Sequence, residues 1–197
     1  MRIKNIITGF LASVLVASSA TAQTEKNLLA NGDFTSGENR RVTRWVFPQS
    51  PLKAHGADAE KITWGGETDA NGNRFAMLAV SAPVKAHVWW QQEIPAEGGS
   101  AYKLTVRIAG AIPTGLAAGG KKGYAGTDIG IYFLDANNKW IGYQPLPTKQ
   151  FTADWQTVTL KVVAPDNATK TGVRLGISSN VEIKARFDDA VLVLADD

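Results

Sequence analysis

The densest run of chemistry-bearing side chains is Val88-Trp89-Trp90-Gln91-Gln92-Glu93-Ile94, with His87 immediately before it. Indole rings lie readily on the C–H faces of sugars, and amides and carboxylates take hydrogen bonds from hydroxyls. In an extended chain Trp90, Gln92 and Ile94 share one face, and Trp89, Gln91 and Glu93 share the other. Alternation alone does not say which face is buried. Glu93 and Asp128 are carboxylates on strands with aromatic neighbours, the types that glycoside hydrolysis uses as a pair across one bond. His87, with Tyr132, Arg107 and Lys103 on other strands, has the types of a polysaccharide lyase site. There Tyr or His removes a sugar-ring proton while a cation or amide neutralises the uronate carboxylate. The commoner role of such polar residues is a solvated strand face.

Other chemistries fall away. With no Cys there is no disulfide framework and no thiolate catalysis or thiolate metal site. His55 and His87 are the only histidines, so no H-E-x-x-H zinc motif exists, and no G-x-S-x-G elbow is present. Residues 115–122 (GLAAGGKK) approach a phosphate loop but carry Lys122 where Ser or Thr should bind magnesium. They also lead towards a strand instead of a helix.

The elements that must position these groups are strands. Residues 102–108 (YKLTVRI) and 156–162 (QTVTLKV) alternate strictly, 173–177 (VRLGI) repeats the pattern, and 190–194 ends the chain in a β-rich run. Residues 75–80 and 128–134 read as shorter apolar strands, and no stretch holds a helical period. Asn, Asp and Gly cluster at 69–73 and 135–139 as turns, and 111–126 forms a long Gly-rich loop of the kind that rims a site. Many short strands without a long helix predict an all-β sandwich, most simply a jelly roll.

The formal charge of +3 would invite a nucleic-acid partner, but part of it lies in a targeting segment. Arg2 and Lys4 precede an apolar stretch at 6–17 and an A-x-A site at Ala20-Thr21-Ala22, a secretory signal pattern cut after Ala22. The apolar stretch is too short to span a membrane. Residues 23–197 then form one domain carrying 19 Lys and Arg against 18 Asp and Glu, a net charge of +1. That balance gives no reason to seek phosphate backbones, and the expected location is secreted or periplasmic, with no membrane anchor and no required protein partner.

Four segments in order resemble the carbohydrate-binding modules of families four, nine and twenty-two. They are Asn27-Leu28-Leu29-Ala30-Asn31-Gly32-Asp33-Phe34 with Gly37 and Trp45; Gln92-Glu93-Ile94 with Gly99 and the strand from Tyr102; Trp155 to Val163 with Pro165; and Phe187-Asp188-Asp189-Ala190-Val191-Leu192. The resemblance covers residues 27–194. It implies a galactose-binding-like jelly-roll β-sandwich of two antiparallel sheets that holds a polysaccharide without cleaving it. By the same analogy Trp90 and Gln92 face the cleft, Asp128 and Tyr132 complete it, and Trp89 belongs to the same strand. Tyr124 and Trp140, in loops, stack at the rim, while Trp45 and Trp155 go to the core. The resemblance also implies a structural calcium held by Asp33, by backbone oxygens near Asn31 and Thr35, and by Asp188. The family's usual Glu after the Phe is here Thr35, with Glu38 three residues on. Rival readings are a small lyase or glycosidase on this fold, and an envelope or adhesion domain without a sugar ligand.

Overall fold

Strict alternation lets a strand bury one face and solvate the other, and the two strictly alternating runs, 102–108 and 156–162, pair with each other in one sheet. The computed structural model describes residues 26–81, 84–111, 124–147 and 151–195. The expected signal segment and residues 112–123 of the Gly-rich loop lie outside the described residues. Among these are β1 (Ile62–Thr68), β2 (Arg74–Val80), β3 (Ala86–Pro95), β4 (Ala101–Ala111), β5 (Ala125–Leu134), β6 (Trp140–Pro145), β7 (Gln156–Val163), β8 (Lys170–Ser179) and β9 (Ile183–Leu194). A short helix α1 (Gln49–Ala54) and a 3-10 turn (Gly56–Lys61) precede β1. The strands form two antiparallel sheets, β1-β2-β9-β4-β7 and β3-β8-β5-β6. The architecture is the predicted jelly-roll sandwich.

Between the sheets lie Val88 and Trp90 of β3, Ile129, Ile131 and Phe133 of β5, and Val173, Leu175 and Ile177 of β8. From the other sheet come Leu104, Val106 and Ile108 of β4 and Phe187 and Leu192 of β9. Both turn predictions have a mechanism. Asp69 Oδ1 accepts from the Asn71 and Asn73 N–H groups, and Asp135 Oδ1 from those of Asn137 and Lys139.

The first motif is a clasp between chain ends. The Asn27 side chain accepts from Leu192 N–H and donates to the Ala190 carbonyl, and Ala190 N–H donates to Gly32 O. A Cβ at Gly32 would sit 2.0 Å from the Ala190 oxygen, so only glycine fits there. Asn31 ties down Ser36 and Thr43, and its carbonyl receives the indole N–H of Trp45. Trp45 is buried as expected. Trp155 is not: it is only partly buried, on the outer face of the five-stranded sheet, with the guanidinium groups of Arg107 and Arg186 5.0 and 5.2 Å from its ring. Cation–π contact there replaces the core packing the sequence suggested.

Candidate functional site

The outer face of the four-stranded sheet collects the unusual residues, and β3 sets it. Ala86, Val88, Trp90, Gln92 and Ile94 point one way, and the apolar members of that row go inward. Trp90 is therefore 3% exposed and Gln92 7% exposed, which corrects the assignment of these two to the cleft. Their polar atoms are satisfied inside: Trp90 Nε1 donates to Met77 O at 3.3 Å, and Gln92 exchanges two hydrogen bonds with the Ala30 backbone at 2.8 and 2.9 Å. His87, Trp89, Gln91 and Glu93 face outward.

The neighbouring strands explain how aromatic side chains lie flat there. On β8 the outward positions run Gly172, Arg174, Gly176; on β5 they run Gly126, Asp128, Gly130, Tyr132. Gly130, Gly172 and Gly176 make room for aromatic side chains from the next strand. A Cβ at Gly172 would meet the Tyr132 ring at 2.1 Å, one at Gly130 would meet the Tyr143 ring at 2.4 Å, and one at Gly176 would meet Trp89 Cβ at 2.7 Å. Tyr132 thus crosses Gly172 and donates its phenol to Glu93 Oε1 on β3, at 2.8 Å. Tyr143, on β6, crosses Gly130 and donates to Asp128 Oδ1 at 2.8 Å.

Asp128 is the hub. Its Oδ2 accepts from His87 Nε2 at 2.7 Å and from Arg174 at 3.4 Å. Burial pushes its carboxyl up, but the hydrogen bonds from His87 and Tyr143 and the charge of Arg174 outweigh that and hold it below the usual carboxylate range. Burial, then the adjacent Asp128 charge, pushes the Tyr143 phenol up. Burial, then Glu93, does the same for Tyr132. Both phenols therefore remain protonated donors. The Arg174 guanidinium lies 4.0 Å from the ring centroid of Trp89, 5.2 Å from that of Tyr143 and 5.7 Å from that of Trp140. Its Nε is buried with no acceptor.

The sequence-predicted residues divide as follows. Trp89 and Asp128 stand on this face, and Trp140, at the start of β6 instead of in a loop, is 47% exposed and stacks on Tyr132 at 4.5 Å. Tyr132 lies under that ring at 2% exposure, so it supports the surface without being part of it. Tyr124 is exposed just before β5, with its N–H on the Asn180 side chain. Arg107 and Lys103 belong to β4 of the other sheet, away from His87. Glu93 and Asp128 lie two strands and four residues apart in register. At strand spacings of about 4.8 Å and a rise of about 3.3 Å per residue their backbones are more than about 15 Å apart. Each carboxylate is engaged elsewhere, Glu93 by the Tyr132 phenol and Asp128 by His87, Tyr143 and Arg174. Tyr143 and Arg174 escaped the sequence reading. The signal that marks Arg174 is the repeated spacing Gly-x-charge-x-Gly, at 126–130 and again at 172–176.

The residues proposed for calcium do not make a cage as arranged. Asp33 accepts from the Thr35 hydroxyl and N–H, and buried Asp188 accepts from Asn73 Nδ2 at 2.8 Å and Asp189 N–H at 2.9 Å. Burial pushes the Asp188 carboxyl up. The nearby loop carbonyls of Asn39 and Arg41 already accept from the Arg74 guanidinium at 2.9 and 3.0 Å. Among the described residues no three His, Asp or Glu side chains gather closely enough to hold a metal.

No family model and no curated protein sequence matches the chain, but solved structures do. The enzymatically active domain of tailspike protein 4 from bacteriophage CBA120 superposes with a TM-score of 0.59 at 17% identity, over 86% of this chain. This chain spans only 21% of that one. A CBM4 structure gives 0.55 at 19% identity over 84% of this chain and 99% of the other. The CBM22-1 xylan-binding domain of Xyn10C from Paenibacillus barcinonensis gives 0.53 at 11% identity, over 89% and 99%. At these identities the likeness is one of fold: the chain has the jelly roll that carbohydrate-binding modules use.

Proposed function

We propose that this protein is an exported, non-catalytic module that binds a polysaccharide on the outer face of the β3-β8-β5-β6 sheet. The observation that carries the reading is the half-exposed indole of Trp140, backed by Tyr132 and set beside a ring of fixed donors and acceptors. A pyranose lying on Trp140 would meet the Arg174 edge, Gln91 and Glu93, which suits the equatorial hydroxyls of a sugar. Trp89, the other indole of the face, holds Arg174 in place. The shared fold and the signal pattern of residues 1–22 support the reading independently. Affinity electrophoresis across a polysaccharide panel tests it. Trp140→Ala should weaken retardation about three- to tenfold, the worth of one aromatic contact. Wild type that runs unretarded in every gel overturns it.

One observation favours a second reading, a lyase. The ionised Asp128 orients His87 as an Asp–His base would be oriented. In a β-elimination the base takes the ring proton beside the uronate carboxylate and the adjacent C–O bond breaks. The electron pair becomes a C=C bond, and the departing oxygen collects a proton. Against it, the Arg174 guanidinium beside His87's partner already pairs with Asp128. His87→Ala separates the two: a binder keeps its retention, and a lyase loses its unsaturated product.

A further inference from the structure

The loop 39–47 places three arginines around one hollow of about 640 Å³, beside the edge strand β3. Arg40, Arg41 and Arg44 line it, with Trp64, Phe47 and Trp90 at the aromatic wall, and no acidic residue contributes. Glu38 and Glu60 flank Arg41 and Arg40 in neighbouring hollows, yet among the described residues none of the three guanidinium groups forms an ion pair.

Each arginine is anchored through its backbone. Gly66 N–H of β1 donates to Arg40 O, and the Arg74 guanidinium donates to Arg41 O. Arg44 stands at a φ of 72°, a left-handed conformation that non-glycine residues seldom adopt. Two residues on, Val46 pairs with the Gln91 backbone through both hydrogen bonds, at 2.9 and 2.8 Å. The wall is rigid too: Phe47 stacks on Trp64 at 4.3 Å with planes 5° apart and meets Trp90 edge-on at 5.6 Å. Three unpaired guanidinium groups converging on one hollow, with no acid in its lining, make an anion site.

We infer that this hollow binds the carboxylate or sulfate of an acidic sugar unit. The choice of a sugar as carrier of the anion rests on the platform reading, since Gln91 belongs both to the platform strand and to the Val46 bridge at the rim of the hollow. The anion site itself stands on the arginines.

The test uses matched polymers: polygalacturonate against its methyl ester, and dextran sulfate against dextran, by affinity electrophoresis and titration calorimetry at low salt. The wild type should prefer at least one polyanion to its neutral partner, and which one tells carboxylate from sulfate. Arg41→Gln with Arg44→Gln should remove about tenfold of that preference per arginine, with an unchanged near-UV circular dichroism spectrum and Tm. A wild type indifferent to charge, or a double variant that keeps the preference, overturns the inference. Weaker retention of Trp140→Ala without any charge preference overturns this site alone. A charge preference lost in the arginine variant, with Trp140→Ala unaffected, overturns the platform alone.

Discussion

Asp128→Asn perturbs the outer face at its hub while keeping the side chain's shape. The carboxylate accepts from His87, Tyr143 and Arg174, and an amide turns one accepting oxygen into a donor, so at least one of those donors faces another. Asp128 and Arg174 side chains are 14% and 13% exposed, which puts the pair nearer the buried than the surface limit. Removing one partner of a buried pair costs about 3–5 kcal/mol and of an exposed pair under about 1, so a loss of about 2–3 kcal/mol is expected. For a domain of this size that lowers Tm by about 4–12 °C. The pH dependence carries a sign. The folded carboxyl titrates below the ordinary aspartate range, so its stabilisation is fully present above that range and is lost as pH falls through the folded pKa. Calorimetry of both proteins from pH 7 down to pH 3 should show a constant Tm gap that narrows only at the acid end. Equal Tm values at pH 7, or a gap that closes near pH 6, would refute the hub.

Three further substitutions follow from the strand phase and the glycines. Trp90→Ala should cost about 3–5 kcal/mol by emptying the core, whereas Trp89→Ala should cost far less and loosen Arg174; urea melts that rank them the other way would reverse the assigned face. Gly172→Ala should lift Tyr132 and Trp140 off the sheet and cost about 1–3 kcal/mol, read as a lowered Tm with a shifted tryptophan emission; an unchanged spectrum contradicts the stacking.

How much of this was legible depends on the strand. β4 and β7 were readable because one face is apolar and the other charged or hydroxylated, so alternation has an unambiguous phase. β3 was not, because both faces carry an indole and an amide; Ala86 and Val88 decide it, and the backbone of Ala30 supplies the partner that lets Gln92 go inside. β1 escaped because Gly65-Gly66 interrupts its pattern: the Arg74 guanidinium and the Arg40 side chain occupy the space where side chains would be. β6 is short, and its Tyr143 and Trp140 gain meaning only when laid across β5. Asp128 stood out as a lone carboxylate among apolar residues. Arg174 did not, because its partners are far away in sequence.

The glycine rows of β5 and β8 invert the ordinary map of mutational tolerance. On most sheets the outward face accepts change and the inward face resists it. Here the inward Ile, Leu and Val positions would accept one another as long as volume is kept, while at Gly130, Gly172 and Gly176 even a methyl group displaces an aromatic neighbour. The large outward rings fall between these extremes, since one aromatic residue can replace another over the same gap. Selection for a new ligand would therefore move through the ring positions and leave the glycines untouched.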